Sequence, residues 1–245
     1  MAQAPWFYAP PELWSADSVT LPPDESHHAT KVMRVAPPDV ITVTNGRGLV
    51  ARCAVTSTQG PSLAADVLER EERRALRPQI AVYQGAAKGQ KTDYVVETLA
   101  ELGAAETWVF ESERAVAKWD KAKQDRLADR WANLARSAAK QSRNPYSMKT
   151  GSAVSWVELV RRIAKEPLAI VLWEEASLPL RTALTGASDR LALVVGPEGG
   201  LTRSEAEALA DAGAQLVSLG PRILRTENAA PVTVSALLYH YGLIG

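Results

Sequence analysis

Two hydrophobic patterns divide the chain into two parts. Short apolar runs bounded by prolines and turn residues fill the N-terminal part, and such runs predict β-strands. Residues 40–44 and 49–55 flank Asn45-Gly46, a dipeptide typical of a tight hairpin turn. Residues 24–35 fit one short helix capped by Asp24 or Ser26. We therefore predict a small β-barrel or sandwich that ends near Glu69.

Apolar strands alternate with amphipathic helices in the rest of the chain. The strand patterns cover residues 80–84, 107–110, 168–173, 191–195 and 216–219. The helical patterns cover residues 93–102, 121–140, 204–212 and 232–241. This alternation is typical of a mostly parallel sheet with helices on both faces. The predicted fold class is α/β, preceded by a small β-domain.

A charged segment separates the two patterns. Residues 70–74 have the sequence Arg-Glu-Glu-Arg-Arg, and Pro78 closes the segment. Charge followed by proline is typical of a linker. We therefore expect two domains, residues 1–72 and residues 73–245.

The composition limits the cellular compartment and the kinds of site that we expect. Cys53 is the only cysteine, and the three histidines lack metal-ligand spacing, so we expect no disulfide and no metal site. A magnesium site formed by carboxylates alone remains an alternative. The sequence has neither an apolar run long enough to cross a bilayer nor the pattern of a signal peptide. We expect a cytoplasmic protein with no membrane association.

Charge is balanced over the whole chain but not locally. The chain contains 28 Lys and Arg and 28 Asp and Glu, whereas residues 114–149 contain ten basic residues, Lys118 among them, and three Asp. A polyanion responds to such a local field. In the helix predicted at residues 121–140, the apolar residues gather on one face. The roughly opposite face carries Arg126, Arg130, Arg136, Lys140 and, just beyond the helix, Arg143. We predict a phosphate-facing surface there, and a solvated outer face is the alternative.

The most specific segment joins a strand pattern to a helix through Gly196-Pro197-Glu198-Gly199-Gly200. Glycines permit a tight turn and a close approach of the backbone to a ligand. Thr202 and Glu205 have the spacing of a capping box, which predicts the helix start. On this segment alone, a purely structural strand-to-helix turn explains the pattern about as well as a ligand loop.

A second loop of this kind follows the next strand pattern. Gly220-Pro221 breaks the strand, and Ile223 and Leu224 are apolar without periodicity. Thr226 is the predicted N-cap of a helix, provided that Pro231 falls in its first turn. Loops at consecutive strand ends are the usual ligand site in an open α/β sheet. The alternative is a loop whose apolar residues fill the core.

Residues 85–92 imitate a phosphate-binding loop. The P-loop pattern is G-x-x-x-x-G-K-[ST], but here the second glycine comes one residue early and Gln90 separates it from Lys91. Phosphate binding depends on the placement of the loop amides. An NTPase is therefore the least favoured alternative.

Together, these segments resemble the signature of the RsmE-type 16S rRNA uridine-N3 methyltransferases of the SPOUT superfamily. The resemblance is strongest in residues 196–200 and 219–227, and it extends in order over nearly the whole chain. Further matching segments are Lys88-Gly89 with Glu97 and Glu101-Leu102-Gly103, Ser112-Glu113-Arg114, residues 139–143, and His27-His28 with Val32-Met33-Arg34.

The resemblance implies an architecture and a set of partners. It implies an N-terminal PUA-like β-barrel for RNA and a C-terminal SPOUT α/β domain with a deep trefoil knot. It further implies a homodimer that uses S-adenosylmethionine and acts on 16S rRNA of the small ribosomal subunit.

The expected cofactor site consists of the two glycine-containing loops and the end of one strand. Its residues are Leu172, Gly196, Glu198, Gly200, Leu219, Ile223, Leu224, Arg225 and Thr226. Leu172 is equally explained as part of a strand core.

The chemistry suggests further roles. N3 of uridine carries a proton, so the reaction needs a base or a group that stabilises the uridine anion. We expect Arg225 to stabilise negative charge, and Glu227 is the candidate base unless it only serves the helix start. The residues expected to contact RNA are His27, His28, Arg34, Lys88, Arg114, Gln141 and Arg143. For His27, His28 and Arg34, helix packing and solvent exposure are equally good explanations. Arg114, Gln141 and Arg143 are also candidates for the active site, including that of a partner subunit.

Two positions depart from the family pattern, which usually has lysine in place of Thr98 and threonine in place of Asn228. Asn228 can still form hydrogen bonds, so we expect the cofactor site to be retained. The change from threonine to Asn228 bears instead on contacts with the substrate. Two other functions fit the same residues. They are methylation of a ribose 2′-hydroxyl by a SPOUT enzyme, and RNA binding without catalysis by a ribosome-assembly factor.

Overall fold

The chain forms two compact units in the computed structural model, which describes residues 4–115, 119–151, 153–184 and 188–245. Lys118, counted above among the basic residues, lies outside these ranges. The first unit comprises Met1–Ala75 and Ala139–Ser147, and the second comprises Leu76–Ala138 and Met148–Gly245.

The first unit is built on a five-stranded sheet. Its strands are β1 (Trp6–Tyr8), β2 (Ser18–Thr20), β3 (Val40–Thr44), β4 (Leu49–Ser57) and β5 (Ala64–Glu72). Their order is β1-β3-β4-β5-β2, with β1 and β3 parallel and the other pairs antiparallel. Asn45 Oδ1 accepts the N–H groups of Arg47 at 2.8 Å and Leu49 at 3.2 Å, which closes the turn between β3 and β4. The predicted hairpin is confirmed.

The prediction of a single helix over residues 24–35 was wrong. A short helix α1 (Pro23–His27) is followed by one turn of π-helix over His28–Val32. Pro22 is the N-cap residue, and neither Asp24 nor Ser26 caps the helix. The hydroxyl of Ser26 instead donates to the Leu21 carbonyl at 3.0 Å.

The predicted linker at residues 70–74 was also wrong in its first half, because β5 continues to Glu72. Residues 70–72 pair with residues 49–51 of β4. The β4–β5 ladder provides hydrogen bonds for this backbone, and residues 70–72 are exposed.

The second unit contains a seven-stranded sheet in which every pair is parallel. Its strands are β6 (Gln79–Gly85), β7 (Glu106–Phe110), β8 (Lys149–Thr150), β9 (Ala169–Leu172), β10 (Leu178–Pro179), β11 (Arg190–Val195) and β12 (Gln215–Ser218). The order is β10-β12-β9-β11-β6-β7-β8. The predicted mostly parallel sheet is confirmed.

Helices cover both faces of this sheet. They are α2 (Lys91–Glu101), α3 (Lys121–Gln141, in this unit as far as Ala138), α4 (Trp156–Ile163), α5 (Leu180–Ala183), α6 (Arg203–Asp211) and α7 (Thr226–His240). Alternate residues of β6 separate two cores. Ile80 and Val82 belong to the core that includes residues of α2, α3 and α7, and Tyr83 belongs to the core that includes residues of α4 and α6.

Three helices of the second unit differ from the sequence predictions, and one of them is the short α5, which was not predicted. Helix α4 was not predicted either, although Ser155 caps it by accepting the Glu158 N–H at 3.2 Å. Helix α7 begins at Thr226 rather than at residue 232, and Pro231 lies in its second turn. In the described ranges, no helix combines the length and the apolar character needed to cross a membrane. The same ranges hold no cluster of three or more metal-binding side chains.

Candidate active site

A cavity of about 700 Å³ opens at the carboxyl edge of the parallel sheet. Residues 196–202 after β11, here called the glycine loop, form one wall. Residues 219–225 after β12, here called the apolar loop, form another. Strand β9 lies between β11 and β12, so its last residue, Leu172, lies between the two loops. The volume is within the range of small-molecule sites, roughly 300–1,000 Å³.

The glycine loop is fixed by its own hydrogen bonds. The Gly200 N–H donates to the Pro197 carbonyl at 2.9 Å. The Thr202 hydroxyl accepts the Glu205 N–H at 3.2 Å, and Glu205 Oε2 accepts the Thr202 N–H at 2.8 Å. The predicted capping box is therefore confirmed. The other oxygen of Glu205 accepts the Glu113 N–H at 2.7 Å, which ties the loop to the segment after β7.

Glycine is required at two positions around this loop. Gly200 has a φ of +69°, and a Cβ there would lie 2.8 Å from Oε1 of Glu174. A Cβ on Gly85, at the end of β6, would lie 2.3 Å from the backbone nitrogen of Pro197. The glycine loop therefore packs directly on β6, a role of Gly85 that the sequence analysis missed.

The apolar loop has a different construction. In the described part of the chain, the hydrogen bonds of this loop lie at its two ends. The Gly220 N–H donates to the Ser218 hydroxyl at 3.2 Å, and the Arg225 carbonyl accepts the N–H groups of Asn228 and Ala229 in α7. Leu224 packs against the core, whereas Ile223 is 90% exposed. The sequence alternative in which both residues fill the core therefore does not hold for Ile223.

A buried hydrogen-bond chain joins the sheet to both loops. Nε2 of Gln84, a fully buried residue of β6, donates to the Thr226 hydroxyl at 2.8 Å. That hydroxyl donates in turn to the Gly196 carbonyl at 2.6 Å. The prediction of Thr226 as N-cap was therefore wrong. Its hydroxyl holds the glycine loop, Thr226 is the first helical residue, and Arg225 occupies the cap position without a side-chain bond.

Lys91, Glu198 and Glu227 form a charged cluster on the cavity wall. Lys91 Nζ lies 3.1 Å from Glu198 Oε1 and 3.5 Å from Glu227 Oε2. Glu198 Oε1 also accepts the Lys88 N–H at 3.0 Å. Burial opposes ionisation of Glu198, but the hydrogen bonds from backbone N–H groups and from Lys91 outweigh it and lower the pKa of this carboxyl. The hydrogen bond to Glu198 raises the pKa of Lys91.

Lys91 was not among the predicted site residues. Within residues 85–92, only Lys88 and Gly89 belonged to the family resemblance, and Lys91 was considered only as part of an imitation of a P-loop. Its acidic partners are more than a hundred positions away, at Glu198 and Glu227. Only folding brings Lys91 to these two residues, so no local pattern in the sequence marks Lys91 as part of the site.

One carboxylate oxygen of Glu227, the candidate base, lacks a hydrogen bond within the part of the chain that the structure describes. Glu227 Oε2 is shielded from solvent and has no hydrogen-bond donor in the described residues. Its nearest cation is Lys91, at 3.5 Å. A carboxylate oxygen without a donor can accept a proton from a group that enters the cavity. Arg225, at the start of the same helix, also lines the cavity.

Comparisons with known proteins match these two units. A family model described as an RNA methyltransferase domain matches residues 74–238, and one described as an RNA methyltransferase PUA domain matches residues 21–68. The chain belongs to the RNA methyltransferase family. The predicted resemblance to RsmE-type enzymes and the predicted PUA-like N-terminal domain are confirmed.

Relatives of this RNA methyltransferase carry one shared name. The ribosomal RNA small subunit methyltransferase E of Mycobacterium bovis is 37% identical over 218 residues, which cover 87% of this chain and 83% of the relative. The protein of that name from Bacillus subtilis is 30% identical over 241 residues, which cover 95% of this chain and 94% of the relative.

Solved structures resemble this methyltransferase over its whole length. A Legionella pneumophila methyltransferase in complex with S-adenosylmethionine has a TM-score of 0.89 and 27% identity, with 98% of each chain covered. The ribosomal RNA small subunit methyltransferase E of Neisseria gonorrhoeae, bound to S-adenosylmethionine, has a TM-score of 0.86 and 26% identity, with 97% of this chain and 98% of that chain covered.

The structure of this methyltransferase brings all the predicted cofactor-binding residues to one cavity. They are Leu172, Gly196, Glu198, Gly200, Leu219, Ile223, Leu224, Arg225 and Thr226, and the predicted base Glu227 joins them. Their roles toward a cofactor or a substrate stay predictions.

The predicted RNA-contacting residues of this methyltransferase lie in both units. Arg114, in the second unit, donates from Nη1 to the Gly199 carbonyl at 3.3 Å, so it supports the glycine loop. Lys88 is exposed in the same unit. In the first unit, His28 packs edge-on against Phe7 with ring centroids 6.3 Å apart. Four other residues of the first unit are exposed, namely His27, Arg34, Gln141 and Arg143.

Two basic residues of α3 already have acidic partners. Arg130 Nη2 lies 2.7 Å from Asp93 Oδ2, and Lys140 pairs with Glu25. These ion pairs reduce the charge that the two residues can offer to phosphate. The phosphate-facing surface of α3 stays a prediction.

Proposed function

We propose that this methyltransferase transfers a methyl group from S-adenosylmethionine to N3 of a uridine in 16S rRNA of the small ribosomal subunit. The observation that carries the proposal is the cavity between the glycine loop and the apolar loop, in a chain of the RNA methyltransferase family. Relatives named for methylation of small-subunit ribosomal RNA, and similar structures with bound S-adenosylmethionine, support the substrate and the cofactor.

The lining of the cavity fits S-adenosylmethionine. The absence of a Cβ at Gly200 keeps free the space beside Glu174, and Leu172 and Leu224 provide apolar walls. Gly196 and Leu219 line the cavity, and their backbone groups would form hydrogen bonds to the cofactor. S-adenosylmethionine supplies a methyl group that is activated by its sulfonium charge.

The residues of the chain then supply orientation and proton transfer. Glu227 accepts the proton from N3, because Oε2 has no competing hydrogen-bond donor and lies in a shielded place. Arg225, together with the N-terminus of α7, stabilises the negative charge that loss of the N3 proton leaves on the uracil ring. Lys91 Nζ, 3.5 Å from Glu227 Oε2, helps to hold that carboxylate in position.

We propose further that the second unit contains the deep trefoil knot. The order of the strands supports this topology, because β12 lies on the far side of β9 from β11 and β6. Helix α7, which follows β12, nevertheless packs on β11, β6 and α2. The chain after β12 thus returns past the glycine loop, which the Thr226 hydroxyl contacts at Gly196.

The active form is proposed to be a cytoplasmic homodimer. Val232 and Tyr239 of α7 are seven residues apart, therefore on one face of the helix, and are 49% and 73% exposed. A second copy of the chain would cover this apolar face. The first unit, with exposed His27, Arg34 and Arg143, is proposed to bind RNA.

Mass spectrometry of the nucleosides of 16S rRNA tests the function. A strain that lacks this gene should lose 3-methyluridine from one position, and the gene should restore it. Loss of a 2′-O-methylated nucleoside instead would favour the ribose methyltransferase, and unchanged 3-methyluridine would contradict the proposal. Calorimetry with S-adenosylmethionine separates both enzymes from an RNA-binding factor without catalysis, which should show no affinity for the cofactor.

A further inference from the structure

The second unit contains another cavity, which the proposed chemistry does not use. Its volume is about 570 Å³, and it lies beside the N-terminal ends of α2 and α3. Residues 88–90 line this second cavity, and the next residue, Lys91, lines the first. One short segment therefore separates the two cavities, which are neighbours on the surface of the same unit.

A tryptophan is held in place on the wall of the second cavity. The backbone N–H of Trp119 donates to Glu111 Oε1 at 3.0 Å, and the backbone carbonyl of Trp119 accepts Gln124 Nε2 at 3.2 Å. Its ring packs against that of the buried Trp131, with centroids 5.7 Å apart and planes inclined by 59°. Trp119 itself is only partly buried, so it offers ring surface to the cavity.

Positive charge surrounds this ring surface. Lys88 and Lys123 line the cavity, are exposed, and have no acidic partner among the described residues. Arg130 also lines it, paired with Asp93. The three cations outnumber the single acid, as is typical of a site for a phosphodiester.

A buried hydroxyl in the same cavity lacks a partner. Thr92 is 3% exposed and lines the cavity, and its Oγ1 has no hydrogen bond within the described part of the chain. A buried polar group without a partner is costly unless a ligand supplies one. This observation is independent of the aromatic and charged residues, and it also points to a bound molecule.

We propose that the second cavity binds a nucleotide of the RNA strand close to the uridine that is methylated. The base stacks on Trp119, Lys88 and Lys123 contact its phosphate, and the Thr92 hydroxyl bonds a polar edge of the base. Aromatic stacking with cations beside it is the usual chemistry of single-stranded RNA sites. The proposal rests on the proposed function for the placement of the target uridine, but the binding of RNA can be measured by itself.

Trp119→Leu in the full chain tests the stacking. With oligouridylate as the probe, the variant should bind about 10-fold more weakly or worse, and its tryptophan fluorescence should be quenched less than that of the unmodified protein. Trp119→Phe keeps an aromatic face and should restore most of the affinity. The affinity for S-adenosylmethionine should not change in either variant.

Lys123→Ala tests the phosphate contact. Each lost phosphate contact reduces the slope of log affinity against log salt by about 1, and Lys123→Ala should show this change. Lys165→Ala is the matched control, because Lys165 is exposed just after α4 and lies outside the cavity. Its slope should equal that of the unmodified protein.

Unchanged RNA affinity and quenching in Trp119→Leu would overturn the proposal, even if the protein methylates RNA normally. A change in oligomeric state without a change in RNA affinity would also overturn it, because a second copy of the chain would then cover the cavity. If Trp119→Leu does not fold, Trp119→Phe and Lys123→Ala decide: affinity lost in Lys123→Ala and kept in Trp119→Phe supports the site. Failure of the proposed function is seen separately, in an unmodified protein that neither binds S-adenosylmethionine nor methylates RNA.

Discussion

The glycine loop and the apolar loop line the same cavity but are stabilised in opposite ways. The glycine loop is held by an internal turn, a capping box, Arg114 and the bonds from Lys88 and Lys91 to Glu198. The apolar loop exposes 90% of Ile223, and the space around Gly220 is open. One wall of the site is therefore formed before a ligand arrives, and the other is free to adjust to it.

This difference has an energetic consequence. Burying an isoleucine side chain contributes about 1.5–3 kcal/mol, and the free protein leaves that contribution unused at Ile223. A ligand that covers Ile223 would gain it. We infer that the glycine loop determines the shape of the site, and that closure of the apolar loop adds affinity.

Gly85→Ala should have the largest effect, because it displaces the preformed wall. A Cβ at this position would lie 2.3 Å from the Pro197 nitrogen, a backbone atom that cannot move without the loop. Forced overpacking costs about 1–3 kcal/mol or more, so we expect a lower melting temperature and no measurable binding of S-adenosylmethionine by calorimetry.

Gly220→Ala is the matched control in the other wall. Gly220 has a φ of +102°, so alanine is strained there, but nothing lies near the added Cβ. We expect this strain to lower the free energy of unfolding by about 1–2 kcal/mol, with cofactor binding retained. Equal losses of cofactor affinity in the two variants would contradict the distinction between the walls.

Arg225→Ala should have the next largest effect, on turnover. Removal of a group that stabilises charge in the transition state typically lowers kcat by about 10²–10³-fold. Arg222→Ala is the control, because Arg222 is exposed on the same loop and lines the same cavity. Single-turnover methylation assays measure both. Full turnover by a normally folded Arg225→Ala protein would remove Arg225 from the mechanism.

Ile223→Ala should separate affinity from stability. The free protein should keep its stability within about 0.5 kcal/mol, because the side chain is exposed. The affinity for S-adenosylmethionine should fall about 5- to 10-fold, since less apolar area is buried on binding. Val157→Ala, at a residue that is 75% exposed on α4, should change neither quantity. Loss of stability without loss of affinity would mean that Ile223 does not close over the ligand.

Glu198→Gln should have the smallest effect, and the effect should depend on pH. The folded protein lowers the pKa of Glu198, so its charge stabilises the fold above the ordinary carboxyl pKa, and this contribution is lost as pH falls through the lowered value. We expect the free energy of unfolding of the variant to be lower by less than about 1 kcal/mol at neutral pH, and this difference should disappear in strong acid. Glu69→Gln, at an exposed ion pair of the first unit, is the control for thermal unfolding across pH. A loss that persists in strong acid would point to packing rather than charge.

Local patterns in the sequence predicted the parts of the site that depend on neighbouring residues. The sequence predicted the capping box at Thr202 and Glu205, and it predicted the two loops after buried strands. Each of these features is specified within a few positions of the chain. Helix α4 was missed, although Ser155 and Glu158 form a local start signal of the same kind.

The contacts that complete the site are long-range, and the sequence analysis did not find them. The Thr226 hydroxyl accepts a hydrogen bond from Gln84 Nε2, 142 positions away, and does not cap its own helix. Lys91 finds Glu198 at a separation of 107 positions. Such pairs depend on the parallel sheet, which brings the ends of distant strands to one edge.

Hydrogen exchange of the two loops, with and without saturating S-adenosylmethionine, tests the central claim most directly. If the cofactor binds between a preformed wall and an adaptable one, peptides from residues 219–225 should gain strong protection, and those from residues 196–202 should change little. No protection of residues 219–225, or protection confined to residues 196–202, would contradict the account.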